Sequence, residues 1–146
     1  MQISSRFTIA VHILACSEFF GNDYKITSEF LAGSIGINPV NVRKILQRLS
    51  AAGILTVKRG SGGITVNKDY SEISLYELFV AVESLENQKL FHFHEHPNGA
   101  CPVGGTIHRA LDGKLDEVQT VMEEKLKSIR VSDITKEIHL ANAKKT

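Results

Sequence analysis

The chain has 146 residues, enough for one domain and hardly for two. Hydrophobic residues make up 42% and charged residues 23%, an ordinary globular mix that excludes a disordered tail, a collagen-like fibre and a polytopic membrane protein. Its two cysteines, Cys16 and Cys101, lie 85 positions apart; they form no disulfide framework and fit a reduced, cytoplasmic chain.

The net charge of +1 hides an asymmetry. Residues 1–68 carry eight Lys and Arg against three Asp and Glu, and the remainder carries nine against thirteen. Residues 30–68 hold no acid at all, yet include Arg43, Lys44, Arg48, Lys58, Arg59 and Lys68. Such a split points to a polyanion as partner for the first half, although charge alone fits a solvated basic face equally well.

The first helix is expected over residues 4–20, capped by Ser4 or Ser5. Its start, residues 7–16 behind Arg6, imitates a short signal peptide ending at a lipid-modified cysteine. The run is only ten residues, His12 breaks it, and Leu14 is bulky where processing sites take small residues. At helical spacing, Phe7, Val11, Leu14 and Ala15 instead form one buried stripe. No segment reaches the ~18 apolar residues of a membrane span.

After a turn at Gly21-Asn22-Asp23, Thr27 or Ser28 caps a short helix over 29–34, closed by Gly33 and Gly36. Asn38 then supplies a cap oxygen, and Pro39 takes the first helical position, where a missing N–H costs nothing. This next helix runs to about Ala52 and Gly53. A short helix, a tight turn and a longer helix outline a helix-turn-helix. Val42, Ile45, Leu46 and Leu49 make the longer helix's core stripe. Asn41, Lys44 and Arg48 form a polar stripe, with Val40, Arg43 and Gln47 beside it. That side offers amide and cationic donors and no acid, the groups that read base edges and hold phosphates.

Two β-type runs follow, 54–57 and 64–66, around Lys58-Arg59-Gly60-Ser61-Gly62-Gly63. Glycines permit a tight hairpin with little bulk at its tip. Arg59 there can reach a minor groove. The run lacks the Gly-Lys-Ser/Thr ending of a nucleotide-binding loop. A helix-turn-helix followed by a basic hairpin is a winged helix.

Ser74-Leu75-Tyr76-Glu77 is a capping box opening a helix to about Leu85, with Leu78, Val82 and Leu85 inward. Residues 87–105 read as a linker with Pro97 and Pro102. Residues 106–130 read as one helix of about 37 Å. Its apolar stripe, Ile107, Leu111, Leu115, Val118, Met122 and Ile129, has little left in a single chain to cover it, and the same helix of a second chain is the expected cover. Packing on the first helix alone is the alternative. The tail, 141–146, is expected to fray. The division is thus 1–85 winged helix, 86–105 linker, 106–146 dimerisation helix and tail, in a mainly α fold with a small β wing.

The run Gly53-Ile54-Leu55, the wing from Lys58 to Ile64, Ile73-Ser74-Leu75 and Ala81-Val82-Glu83 together resemble the Rrf2 family of bacterial regulators. Ser5-Arg6-Phe7 with Ala10, and the segment from Thr27 to Ala32, are similar to its first two helices, and a long helix closing with Ile134 fits its dimerisation helix. The resemblance implies a homodimeric winged-helix transcription regulator, usually a repressor, on a palindromic operator. It places base-reading positions on Asn38, Val40, Asn41, Arg43 and Lys44, and a minor-groove arginine on Arg59. With Arg48 from the polar stripe, and Lys58 and Ser61 from the wing, these are the expected DNA-binding residues. Pro39-Val40-Asn41 departs from the family's commonest wording, so no operator carries over.

Several members hold an iron–sulfur cluster on three closely spaced cysteines before the long helix. Here only Cys101 stands in that linker, so no cluster is expected. His92, His94 and His96 alternate before it, and His108 follows. Imidazole and thiolate suit a transition metal. Against that stand an exposed histidine-rich loop that binds nothing, and a redox role for Cys101 without metal. The candidate sensor residues are Cys101, His94, His96 and His108. There is no nucleophile elbow, phosphate loop or His-Glu-x-x-His, so no enzyme is expected; a histidine–cysteine hydrolytic site in the linker is the remote alternative. A winged helix that binds protein instead of DNA is the other rival, and the acid-free stretch argues against it.

Overall fold

A computed structural model describes residues 4–85 and 88–144, with the side chain of Ser61 outside the description. The expected linker start at 86–87 and the last two residues of the tail also lie outside it. Six α-helices and one two-stranded sheet are described: α1 (Ser5–Phe20), α2 (Ser28–Ile35), α3 (Pro39–Ala51), β1 (Leu55–Val57), β2 (Ile64–Val66), α4 (Leu75–Val82), α5 (Ile107–Ser128) and α6 (Val131–Ala143). None of these helices is long and apolar enough to cross a membrane.

Helix α1 is the centre. Ser4 caps it through Arg6 N–H, and Ala10, Ile13 and Leu14 have no exposed surface. Helices α2, α3, α4 and α6 and strand β2 all pack on it. Cys16 is buried, as its helical stripe implies.

The helix-turn-helix forms through its caps. Thr27 Oγ1 accepts from Phe30 N–H at 3.1 Å. Gly33 lies inside α2 and does not help to end it. The turn falls on Gly36 alone, whose φ of 84° suits a residue without Cβ, and its N–H donates to Ala32 O at 2.8 Å. Asn38 Oδ1 then accepts from Val40 N–H at 2.8 Å, with Pro39 at the first helical position. Val42, Ile45, Leu46 and Leu49 are buried as their spacing requires.

The wing strands pair antiparallel, Leu55 with Val66, Thr56 with Thr65 and Val57 with Ile64. Residues Gly60–Gly62 form a 3-10 turn. Ile64 N–H donates to Ile26 O at 2.9 Å, which pins the wing beside the start of α2. That approach requires Gly63: its φ is +74°, and a Cβ there would lie 2.7 Å from Ile26 O.

Three expectations about the second half are corrected. Helix α4 stops at Val82, not Leu85. The Arg48 guanidinium donates to Val82 O and to Ser84 Oγ, both at 3.0 Å, while Ser4 Oγ donates to the Glu83 carboxylate at 2.9 Å. Long-range partners take the chain out of the helix where no glycine or proline marks an end. Next, the helix expected over 106–130 ends at Ser128. Ile129 and Arg130 are extended, and they pair with the chain before α4: Leu75 N–H donates to Ile129 O and Val131 N–H to Ile73 O, both at 2.9 Å. Finally, the segment read as an end is a further helix, α6, described through Ala143. Asp133 accepts from Arg130 N–H at 2.8 Å to start it. Val131 and Thr135 are buried as it packs on α1 and on the turn Tyr70–Glu72.

Helix α5 packs on α4. Buried Gln119 ties it to the linker, accepting from Leu90 N–H at 2.9 Å and donating to Gln88 O at 2.8 Å. Lys89 pairs with Asp116 at 3.1 Å.

Two measurements check this reading. Gly63→Ala should cost about 1–3 kcal/mol in urea unfolding, whereas Gly33→Ala, in a helix with nothing within 4 Å of its added Cβ, should gain about 0.5–1 kcal/mol. Arg48→Ala should lose about 1–3 kcal/mol by the same assay, because it leaves the end of α4 without its charged donor.

Candidate nucleic-acid interface

The face opposite the core stripe of α3 is solvent-exposed at Asn41, Arg43, Lys44 and Gln47. Val40, the second residue of the helix, is 49% exposed. Asn38 is exposed but spends its side-chain oxygen on the cap, so its amide N–H2 is the part left to face a ligand.

Arg48 is placed differently from the expectation. It shares the polar stripe with Asn41 and Lys44 in sequence, yet its guanidinium turns to α4 and is held by Val82 and Ser84. Its role in the fold is to brace α3 against α4. Periodicity alone could not separate that role from a phosphate contact.

Arg43 is also partnered. Its Nη2 meets Glu29 Oε1 at 2.9 Å, an exposed pair joining α3 to the first turn of α2. The Glu29 carboxyl sits below its usual range, through its own backbone N–H first and then through Arg43 and Ser28. Glu29 immediately precedes the acid-free stretch, and the sequence reading passed over it. Its spacing, two positions after the Thr27 cap, was the available signal. A surface pair of this kind adds little stability, but it fixes the direction in which the guanidinium leaves α3.

Lys58 and Arg59 are exposed on the wing. Together with Glu29, Arg43, Gly60 and Gly63 they line a cleft of about 320 Å³ between α2, α3 and the hairpin. Arg43 of the helix and Lys58 and Arg59 of the wing thus share one cleft, which the one-dimensional charge count could not establish. The Ser61 side chain lies outside the description.

The linker brings together only some of its candidates. The His94 and His108 rings stand 5.2 Å apart, and His108 Nδ1 meets Asp112 at 3.1 Å. His96 has a φ of 55° and its side chain is 94% exposed, beside Glu95 at 3.9 Å. Cys101 is exposed in a turn. The N–H groups of Gly104 and Val103 hold its thiol below the usual range. Among the described residues, no three His, Cys, Asp or Glu side chains converge as metal ligands.

The stripe on α5 is poorly covered. Gln119 is its one buried residue. Ile107, Leu111, Leu115, Met122 and Ile129 are half-buried. Val118 is 54% exposed and Val121 is 69% exposed.

Comparison with known proteins places this arrangement. The Rrf2 family model, described as an iron-dependent transcriptional regulator, matches residues 3–137. The thiols present do not fit an iron–sulfur cluster: a cluster needs several thiolates, and the chain has Cys16 and Cys101 alone, one buried in α1 and the other exposed in the linker turn. The chain is 41% identical over 133 residues to a protein named as the HTH-type transcriptional regulator YwnA of Bacillus subtilis (strain 168), covering 91% of this chain and 96% of that one. A solved structure described as a DNA-binding protein superimposes with a TM-score of 0.68 at 38% identity, over 89% of this chain and 98% of its own. The T. potens IscR structure shares the fold, with a TM-score of 0.70 at 17% identity over 97% of this chain and 90% of its own. A winged helix with this exposed basic side, matched nearly end to end, belongs to the Rrf2 family of DNA-binding transcriptional regulators, which are not enzymes.

Proposed function

We propose that the chain acts in the cytoplasm as a homodimeric repressor on a palindromic operator. The observation carrying this reading is the single basic side: Asn41, Arg43 and Lys44 on α3 and Lys58 and Arg59 on the wing, with Glu29 committed to Arg43. In that reading α3 enters a major groove by its N-terminal half. Asn38, Val40, Asn41 and Arg43 face base edges, Lys44 holds phosphate, and the wing, with Lys58, Arg59 and Ser61, reaches the neighbouring minor groove. Arg48 is left out of this set because its donors serve α4.

Dimerisation is supported by α5. A helix of 22 residues with one buried side chain and a half-covered apolar stripe is unfinished as a monomer. Pairing α5 with its copy through Ile107, Leu111, Leu115, Val118 and Met122 covers the stripe and fixes the separation of two recognition helices, hence half-site spacing. Ile129 lies beyond the helix end, where it tethers α5 to α4. A regulatory input through the linker is a second reading. It is favoured by the exposed Cys101 thiol and the two N–H groups that stabilise its thiolate. It is tested by comparing the operator affinity of wild type and Cys101→Ser with and without peroxide.

Two measurements test the main reading. With an operator selected from genomic fragments, Arg59→Ala and Lys44→Ala should each weaken binding by fluorescence anisotropy and flatten the log–log salt slope by about one unit, while unfolding in urea changes by less than about 0.5 kcal/mol. Unchanged binding in both removes the assigned groove contacts. Light scattering should give about twice the 16.1 kDa chain mass, and Leu115→Glu should shift the protein to monomer by placing an unpaired charge in the seam. A wild-type monomer at micromolar concentration removes the interface and the palindrome with it.

A further inference from the structure

Away from the basic side, α1, the last turn of α2 and α6 line an open cleft of about 190 Å³ that none of the roles above uses. Three reactive groups meet on its wall. Cys16 Sγ donates to Ser34 Oγ at 3.3 Å, and Ser34 Oγ lies 2.9 Å from His12 Nε2. His12 and Cys16 are four residues apart and share one face of α1. With His12 in the tautomer protonated on Nδ1, its Nε2 accepts from Ser34, so thiol, hydroxyl and imidazole form a directed chain. Elsewhere the walls are Phe19, Phe20 and Ile138, with Asn142 as a further polar group. No Asp, Glu, Lys or Arg lines the pocket.

We propose that this pocket captures small, neutral α,β-unsaturated carbonyl compounds and joins them to Cys16. Several features select that class. The uncharged lining disfavours ions. Aromatic and aliphatic walls suit a flat conjugated molecule. The thiol is a soft nucleophile with a base two hydrogen bonds away. The reaction is a conjugate addition. The Cys16 proton passes to Ser34 Oγ as the Ser34 proton passes to His12 Nε2. The sulfur electron pair forms an S–C bond at the β-carbon, and the C=C pair moves onto the carbonyl oxygen as an enolate. The imidazolium then returns its proton by way of Ser34 to the α-carbon. One S–H and one C=C bond are replaced by S–C and C–H bonds, and no oxidant is consumed.

The position gives the adduct a consequence, which rests on the DNA-binding reading above. Ser34 stands two residues before the turn at Gly36 and four before the Asn38 cap of α3. A molecule wedged between α1 and α2 displaces the helix that aims α3. The adduct therefore weakens operator binding.

The test uses the full chain carrying Cys101→Ser, which removes the exposed thiol, and N-ethylmaleimide as the probe at pH 7. Intact mass should show one adduct, absent when Cys16→Ser is added. Ser34→Ala and His12→Phe, with folding checked by circular dichroism, should each slow the addition at least about tenfold, as expected for loss of general-base assistance. The adduct should bind operator at least about tenfold more weakly than unmodified protein. Equal rates in all three proteins, or an adduct formed only after unfolding in urea, overturn the site. Relay-dependent addition with unaltered operator affinity overturns its coupling to α3. Failure of the unmodified protein to bind DNA overturns the proposed function instead, and leaves the mass measurement standing.

Discussion

Burial of one face after another of α1 is the constraint on which the remaining geometry depends. Ala10, Ile13 and Leu14 lose all contact with solvent, and removing such side chains from water contributes roughly 1.5–3 kcal/mol for each large one. Because α2, α3, α4 and α6 all draw on this helix, each must turn its apolar stripe inward and leave the opposite side free. For α3 the free side carries Asn41, Arg43 and Lys44. The surface proposed to meet DNA is therefore what remains after the core has taken Val42, Ile45, Leu46 and Leu49. Gly63 completes the arrangement, since only a residue without Cβ lets the wing close on Ile26 and bring Arg59 to the same side.

Local signals were legible where local interactions decide the structure. The Asn38-Pro39 start, the Thr27 and Ser74 caps and the two wing strands lie at or near the positions their residues imply, because the partners are within four residues or across a short hairpin. The ends of α4 and α5 were illegible for the opposite reason. Val82 is claimed by Arg48 from 34 residues away, and Ile129 by Leu75 at the start of α4. Neither site has a helix breaker. Helix α6 was missed because its buried side is small, Val131 and Thr135: residues 131–140 are given no element of their own, and only 141–146 read as a tail.

The same distinction governs the interface. The exposure of Lys44 and Arg59 could be read from periodicity and turn chemistry. Arg48 could not, since an arginine on a polar stripe has the same spacing whether it meets a phosphate or a helix-end carbonyl. Charge counting treated the two halves as blocks and stopped at Phe30. Glu29 entered that count only as one of three acids in residues 1–68, with no sign that it folds against α3. An acid there does not argue against a polyanion partner. Its carboxylate is occupied by Arg43 and constrains the guanidinium, which reduces the freedom lost when that side chain is ordered on a partner.

Whether a small molecule at Cys16 can govern α3 is a question of magnitude. A hundredfold change in operator affinity is about 2.8 kcal/mol. The His12–Ser34 and Cys16–Ser34 hydrogen bonds together contribute roughly 1–3 kcal/mol at typical values of 0.5–1.5 each, and the adduct keeps some of that bonding. Breaking them reaches that change only at the upper end of the range. A second lever is packing, because α2 packs on α1 with Leu31 and Ala32 buried, and forcing extra volume into a filled interface costs about 1–3 kcal/mol. The displaced helix ends at Ile35, three residues before Asn38, so a shift of α2 bears directly on the cap of α3. A rigid helix-turn-helix converts such a displacement into misplacement of two recognition helices at once when the molecule is paired through α5, and a fixed half-site spacing leaves little tolerance for the error.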